Sequence, residues 1–346
     1  MAVRMKDIAR DLGVSVVTVS KVLRNHSDIS QETRQRVLKR IKQLNYRPNP
    51  AARALVTGRT YSMGLVVPDL LHPFFAQVAK GLSGVLRQKG YSLTISSSEE
   101  EPELERQEIE QLLTRRVDAI LVASAQWTVE SFRRIEEQKT PYVLIDRRFT
   151  GLAAHFVGTD DEAAGLLATE HLIAQGCTRI AHIRGPEVST AVGRVQGYQR
   201  ALAQHGLLPP PGYLVPIGES GDALGDSRGC AAMERLLQLD PHPDGVFCYN
   251  DPVAMGAMKA ILNAGLSIPE DIALIGCGNV FYSEFLRVPL STIDQNSAAI
   301  GEQAAQLALS LVESNSLQRP KSILLEPALI ARASTARKPL PSVLTS

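Results

Sequence analysis

The sequence predicts an all-α helix-turn-helix head followed by an α/β body of two doubly wound parallel-sheet lobes. Three observations carry that expectation. Residues 1–60 hold thirteen Lys/Arg against four acids, a charge of +9, while the rest of the 346-residue chain is −8. Three short helical patterns separated by turn residues fill positions 5–45. From Ser62 onward, short apolar runs alternate with helical patterns, and the alternation repeats after residue 160.

The composition bounds the rest. Hydrophobic residues make up 44% and charged residues 21%, which is ordinary globular usage for about two domains. No apolar run approaches the ~18 residues of a membrane span. The first residues, Met-Ala-Val-Arg-Met-Lys-Asp, lack a secretory h-region, so a cytoplasmic location is expected. Cys177, Cys230, Cys248 and Cys277 form no CxxC pair, which suggests neither a zinc site nor a disulfide framework. A basic head on an acidic body points to a polyanion partner for the head.

In the head, Ile8, Ala9 and Leu12 share one helical face, and Gly13 supplies a turn. Ser15 is placed to cap a second helix, which carries Val19, Val22 and Leu23 inward. Two short helices joined by a glycine turn make a helix-turn-helix. Ser30 and Glu32 open a third helix with an apolar face of Val37, Leu38, Ile41 and Leu44. The second helix of such a motif enters the major groove by its N-terminal end. Its outward residues are Ser15, Val16, Val17, Ser20 and Lys21. The valine methyls can pack on a thymine methyl, and Lys21 can reach guanine or phosphate. Thr18 and Ser20 can donate to phosphate. Ser15 and Thr18 can equally serve as caps. Arg24, the next cation along, belongs to the same set. Asn49 and Pro50 then start an Ala-rich segment of barely two turns, too short to be a stable helix alone. Residues 56–60 read as a linker.

These residues resemble a known family. Met5-Lys6-Asp7-Ile8-Ala9, Gly13-Val14-Ser15, Thr18-Val19-Ser20-Lys21-Val22-Leu23 and Asn45-Tyr46-Arg47-Pro48-Asn49 look like the head of the LacI/GalR family of bacterial transcription regulators. The resemblance makes residues 50–56 a hinge helix, paired in a dimer and inserted in the minor groove. Leu55 then matches the family's wedging leucine, and Ala52 and Arg53 match its groove neighbours. An apolar wedge of that kind unstacks a base step and bends the duplex. Arg4 departs from the Thr or Ser that caps the first helix in many members; Asp7 is expected to favour that helix end.

In the body, strands are expected at 64–67, 92–95, 119–122, 142–145, 180–183, 245–248 and 272–275. Helices are expected at 74–89, 102–116, 129–138, 161–175, 190–205, 226–238 and 252–264. Ligands of such folds bind at the carboxyl ends of strands, so a cleft between the lobes is the expected site. The resemblance continues here through Leu144-Ile145-Asp146-Arg147, Gly185-Pro186, Arg194, Gly197-Tyr198, Asn250-Asp251, Ile268-Pro269 and Pro289-Leu290-Ser291-Thr292-Ile293. It implies a periplasmic-binding-protein-like effector domain in which the chain crosses between lobes three times. The expected boundaries are 1–48 for the head and 49–61 for hinge and linker. Residues 62–335 form the effector and dimerisation domain, and 336–346 a tail. Lobe 1 takes about 62–159 and 296–320, and lobe 2 about 160–292 and 323–335.

The same resemblance nominates effector-binding residues. Phe74 and Phe75 open a helix after the first strand, where an aromatic face can stack on a ligand or fill the core. Asp160 either accepts ligand hydroxyls or caps a helix. Arg194 either grips the ligand with its fork of donors or forms a surface salt bridge. Asn250 ends a strand, Asp251 is placed to cap the next helix, and Thr190 is a cap or a pocket hydroxyl. Two positions depart from the family. Gly278 stands where a ligand-binding aspartate is common, and Leu224 stands near a frequent aromatic.

No HExxH, G-x-S-x-G or P-loop pattern occurs, so no enzyme and no cofactor are expected. The tail, with two prolines and no leucine heptads, gives no tetramerising coiled coil. The reading is a homodimeric, effector-controlled repressor of operator DNA with no membrane partner. Its competitor is a cytoplasmic small-molecule-binding protein or enzyme without a gene-regulatory role, a possibility kept open because fold does not fix function.

Overall fold

The computed structural model describes residues 3–23, 26–46, 54–55, 57–126, 129–217, 225–314 and 318–337. Arg24, Ala52, Arg53 and Leu224 lie outside the described residues, as does the tail from 338. The chain divides into two compact units, Met1–Thr60 and Tyr61–Ser346.

The first unit carries α1 (Met5–Leu12), α2 (Val16–Leu23) and α3 (Gln31–Gln43). Gly13 ends α1 at φ 64°, a left-handed cap that costs glycine little. The Arg4 backbone N–H donates to the Asp7 carboxylate at 2.9 Å, which satisfies one donor at the α1 start, while the Arg4 side chain caps nothing. Ser30 caps α3 by accepting from Thr33 N. Ile8, Ala9, Val19, Val22 and Val37 are buried together, with Leu12, Leu23, Ile41 and Leu44 packed around them. The expected face of α3 needs one correction: Leu38 is 47% exposed. Val37, Ile41 and Leu44 stand at i, i+4 and i+7, and Leu38 falls one helical step off that stripe.

The second unit contains two six-stranded sheets. Its elements run β1 (Ser62–Val67), α4 (Pro73–Gln88), β2 (Ser92–Ser97), α5 (Pro102–Thr114), β3 (Ala119–Val122), α6 (Glu130–Glu137), β4 (Tyr142–Ile145) and β5 (His155–Thr159). Then come α7 (Asp161–Ala174), β6 (Ile180–Arg184), α8 (Ser189–Gln204), β7 (Leu214–Pro216), α9 (Gly225–Leu237), β8 (Gly245–Cys248), α10 (Asp251–Asn263) and β9 (Ala273–Cys277). The last elements are β10 (Ser291–Asp294), α11 (Ser297–Glu313), β11 (Ser322–Leu325), β12 (Ala328–Ile330) and a 3₁₀ turn at Ala333–Thr335.

Lobe 1 is the parallel sheet β11-β5-β4-β3-β1-β2. Lobe 2 is the sheet β12-β10-β9-β8-β6-β7, parallel except for β12. Each sheet is covered on both faces by apolar cores, as parallel sheets require. The chain crosses between lobes after β5, after β10 and after β11. The third crossing corrects the expected boundary. Residues 322–325 pair with Phe156–Thr159 and close the edge of the lobe 1 sheet, so lobe 2 resumes at β12 rather than at 323. The strands β5, β7, β10, β11 and β12 escaped sequence reading because they are three to five residues long and lack a distinctive apolar run. Among the described residues, no helix is long and apolar enough to cross a membrane.

Candidate functional site

Helix α2 presents the side chains that sequence reasoning assigned to DNA. Val16 and Val17 are 44% and 61% exposed, which is unusual for valines in a helix with a buried core face. Ser15 accepts the Thr18 backbone N–H at 3.0 Å, and its hydroxyl lies 2.9 Å from that of Thr18, so both are engaged at the helix start. Ser20 and Lys21 are half-buried. Lys21 is already ion-paired with Asp28, which holds that carboxyl below its usual range through the hydrogen bond from Lys21. Leu55 is 87% exposed, and Gly58 N donates to Ala54 O at 2.8 Å, closing a turn of helix there.

In the second unit, several cavities open between the lobes among the described residues. One, about 700 Å³, is lined by Arg147, Arg148 and Phe149 from lobe 1 and by Ser189, Val192 and Gln196 from lobe 2. A small one of about 20 Å³ has walls of His72, Phe74, Phe75, Asp146, Arg194, Tyr249, Asn250 and Gln295. Phe74 and Phe75 are both buried and pack edge-to-face at 5.1 Å, so they are core residues that also wall the cavity.

Arg194 is 3% exposed and no surface residue. Its Nε donates to Asp161 at 3.0 Å and its Nη1 to the Tyr249 carbonyl at 2.6 Å. The guanidinium carbon sits 4.7 Å from the centre of the Tyr249 ring. This placement depends on two glycines. A Cβ on Gly165 would lie 2.2 Å from the Arg194 carbonyl oxygen, and one on Gly197 would lie 2.0 Å from that of Glu162, so only glycine lets α7 and α8 approach so closely. Burial raises the Asp161 carboxyl above its ordinary value, and Arg194 pulls against that rise.

Three expectations change. Asp160 caps α7 by accepting Ala163 N at 3.0 Å, and it is not among the residues lining either cavity. Its neighbour Asp161 is the acid tied to Arg194. Asn250, not Asp251, caps α10: its Oδ1 accepts Val253 N at 2.9 Å. Asp251 instead turns inward and accepts from Thr292 Oγ1, Ser283 Oγ and Val280 N. Thr190 is fully buried behind the cavity wall, with its hydroxyl 2.9 Å from that of Tyr249.

Gly278 has φ 129°, a backbone region that side chains rarely adopt. Space is not what fixes it, since a Cβ there would meet nothing closer than Val280 Cγ1 at 3.8 Å.

A family model described as bacterial regulatory proteins, lacI family, matches residues 4–49, and one described as periplasmic binding protein-like domain matches 169–335. The chain is 35% identical over 333 residues to the HTH-type transcriptional regulator GalR of Escherichia coli (strain K12), covering 96% of this chain and 95% of that one. The chain belongs to the lacI family. It is a helix-turn-helix transcription regulator and not an enzyme.

A second relative, the transcriptional repressor PurR of Histophilus somni (strain 129Pt), is 33% identical over 333 residues, 95% of this chain and 98% of that one. Among solved structures, the Lac repressor dimer bound to operator and the anti-inducer ONPF superposes with a TM-score of 0.83. It is 25% identical, with 97% of this chain and 99% of that chain covered. Within this lacI-family chain, sequence reasoning did not assign His72, Asp146, Tyr249 or Gln295 to the cleft. His72 and Asp146 each sit beside a motif it did use, Phe74-Phe75 and the strand ending in Ile145. Gln295 carried no local signal, because its place at the second lobe crossing exists only in the fold.

Proposed function

We propose that the chain is a homodimeric repressor of a pseudo-palindromic operator, acting in the cytoplasm, with operator affinity set by a small carbohydrate-related effector in the inter-lobe cleft. One observation carries the reading. A single lacI-family chain combines a head whose second helix turns Val16 and Val17 outward with a body whose two lobes enclose a polar cavity. Ser15, Val16, Val17, Thr18, Ser20, Lys21 and Arg24 form the major-groove face, and Ala52, Arg53 and Leu55 the minor-groove hinge. Paired heads on a two-fold axis read two half-sites.

In the cleft, Arg194 and Asn250 supply donors and Asp146 supplies the acid, with Phe74 and Phe75 as the aromatic wall. Asp160, Thr190 and Gly278 stand outside this contact set, and Leu224 lies outside the described residues; Thr190 acts through Tyr249. Because Gly278 offers no carboxylate, the effector takes its acid contact from the lobe 1 side. The Lac repressor dimer's complex with operator and anti-inducer supports coupling of this kind. The test is selection of DNA by the purified protein from a random library, followed by operator titration against candidate metabolites. Recovery of no consensus sequence would overturn the reading.

A further inference from the structure

His72 and Asn250 reach each other across the cleft, and the chemistry of that contact permits only one protonation state. His72 stands at the start of α4 in lobe 1, and Asn250 at the start of α10 in lobe 2. The Asn250 Oδ1 is occupied as the cap of Val253 N at 2.9 Å. That cap fixes the amide, so its Nδ2 points the other way and lies 3.1 Å from His72 Nε2. An amide nitrogen only donates, so Nε2 must accept, and the imidazole proton must sit on Nδ1. His72 Nδ1 is buried and has no hydrogen-bond partner among the described residues.

We propose that His72 is a positioning residue that holds the two lobes closed through Asn250, and does so only as the neutral imidazole. This rests on the reading of the cleft as the effector site. An imidazolium would set Nε2–H against the amide N–H₂. Turning the Asn250 amide over would relieve that clash but would strip the cap from Val253 N, so either arrangement adds an unsatisfied buried group to the Nδ1–H that the neutral ring already leaves unpaired. Protonation therefore releases the latch.

The other groups around the imidazole do not change this logic. Asp146 and Arg194 line the same cavity, and neither alters the fact that a protonated Nε2 cannot accept. The Tyr249 hydroxyl, from the wall of lobe 2, is engaged with Thr190. On the imidazole's own side, Phe74 and Phe75 hold the ring at centroid distances of 6.5 and 5.5 Å, and buried Asp69 accepts from Leu71 N. A second inter-lobe bond, Arg148 N to Ser189 Oγ at 3.0 Å, uses no titratable group. The cavity beside the latch, about 20 Å³, has room for one water.

The test measures lobe separation in the full chain by pulsed electron-spin distance measurement, at pH 8 and pH 5.5. Spin labels go on Gln138→Cys in lobe 1 and Gln204→Cys in lobe 2, both exposed, in a Cys230→Ser background and diluted with unlabelled protein. The other cysteines are buried. The expected wild-type result is a closed distance at pH 8 and at least about a threefold rise in the open fraction at pH 5.5. His72→Leu should be open already at pH 8. His72→Gln, whose amide oxygen can accept from Asn250 without titrating, should stay closed at both. A His72→Leu protein that remains closed at pH 8, or a His72→Gln protein that follows the wild-type pH shift, overturns the proposal. The readout needs neither operator nor effector, so a failure of the proposed function would show in binding and not here.

Discussion

Arg194 and Asp161 form a buried ion pair, 3.0 Å apart, where the glycine-lined contact of α7 and α8 brings them together. The pair makes Arg194 a structural residue as well as a cleft residue. Removing one partner leaves the other charge uncompensated in a largely desolvated place, which costs about 3–5 kcal/mol. Arg194→Ala should therefore lower stability by that amount along with any loss of effector response. Arg194→Met combined with Asp161→Leu should recover most of the stability while leaving the effector response abolished. Denaturant melts and operator titrations on the single and double variants separate the two roles. A single variant as stable as wild type would contradict the buried pairing.

In the proposed major-groove face, Lys21 has to leave Asp28 to reach DNA. Asp28→Asn should free the lysine and raise operator affinity severalfold, because exposed pairs are weak and easily exchanged. Lys21→Ala should weaken binding and lower the salt slope by about one. Operator titrations across a salt series check both. An Asp28→Asn protein with unaltered affinity would place Lys21 away from the duplex.

Leu55 is exposed to 87%, so its side chain is available to a partner. Leu55→Ala should shrink the wedge, reduce DNA bending and cut the ratio of specific to non-specific affinity by about tenfold or more. Gel-based bending measurements are decisive here: the same bend angle and the same ratio in the variant would remove Leu55 from the minor groove.

His182 is fully buried and stacked on Phe247 at 4.4 Å, with Nδ1 donating to the Phe247 carbonyl at 2.9 Å. Burial pushes its pKa down from 6.5 to about 3. The unfolded chain therefore takes up a proton at this site as the pH falls through 6.5, and the folded chain does not. Stability contributed by the neutral ring is present above that value and drains away below it, by about 2 kcal/mol between pH 7 and pH 5. His171 and His155, also lowered by burial, add in the same direction. His182→Phe should flatten the profile by its own share, measured as urea midpoints over that range. An unchanged slope would assign the pH dependence to other groups.

Much of this protein was legible along the chain because local patterns repeat. Ile8, Ala9, Val19 and Val22 at helical spacing specify the head, and runs such as Ala119–Val122 and Gly245–Cys248 specify central strands that are apolar on both faces. The outward turn of Val16 and Val17 follows from the same periodicity. What failed was whatever depended on long-range pairing. β11 reads as either lobe until its register against Phe156–Thr159 is seen.

The sequence by itself determined the helix-turn-helix and the doubly wound class of the body, and it pointed to Phe74, Phe75, Arg194 and Asn250 among the cavity walls, since these follow from hydrophobic periodicity and turn chemistry within short windows. Only the tertiary structure decided which partner each polar side chain took. Asp160 and Asp161 are adjacent acids, yet one caps a helix at the surface and the other pairs with a buried arginine 33 positions away. Asn250 and Asp251 divide in the same way between a cap facing His72 and an inward carboxylate held by Thr292 and Ser283. A buried polar atom must find a partner or pay for its lost hydration, and which partner stands within about 3 Å is a property of how the helices and sheets pack, not of the residue's neighbours along the chain.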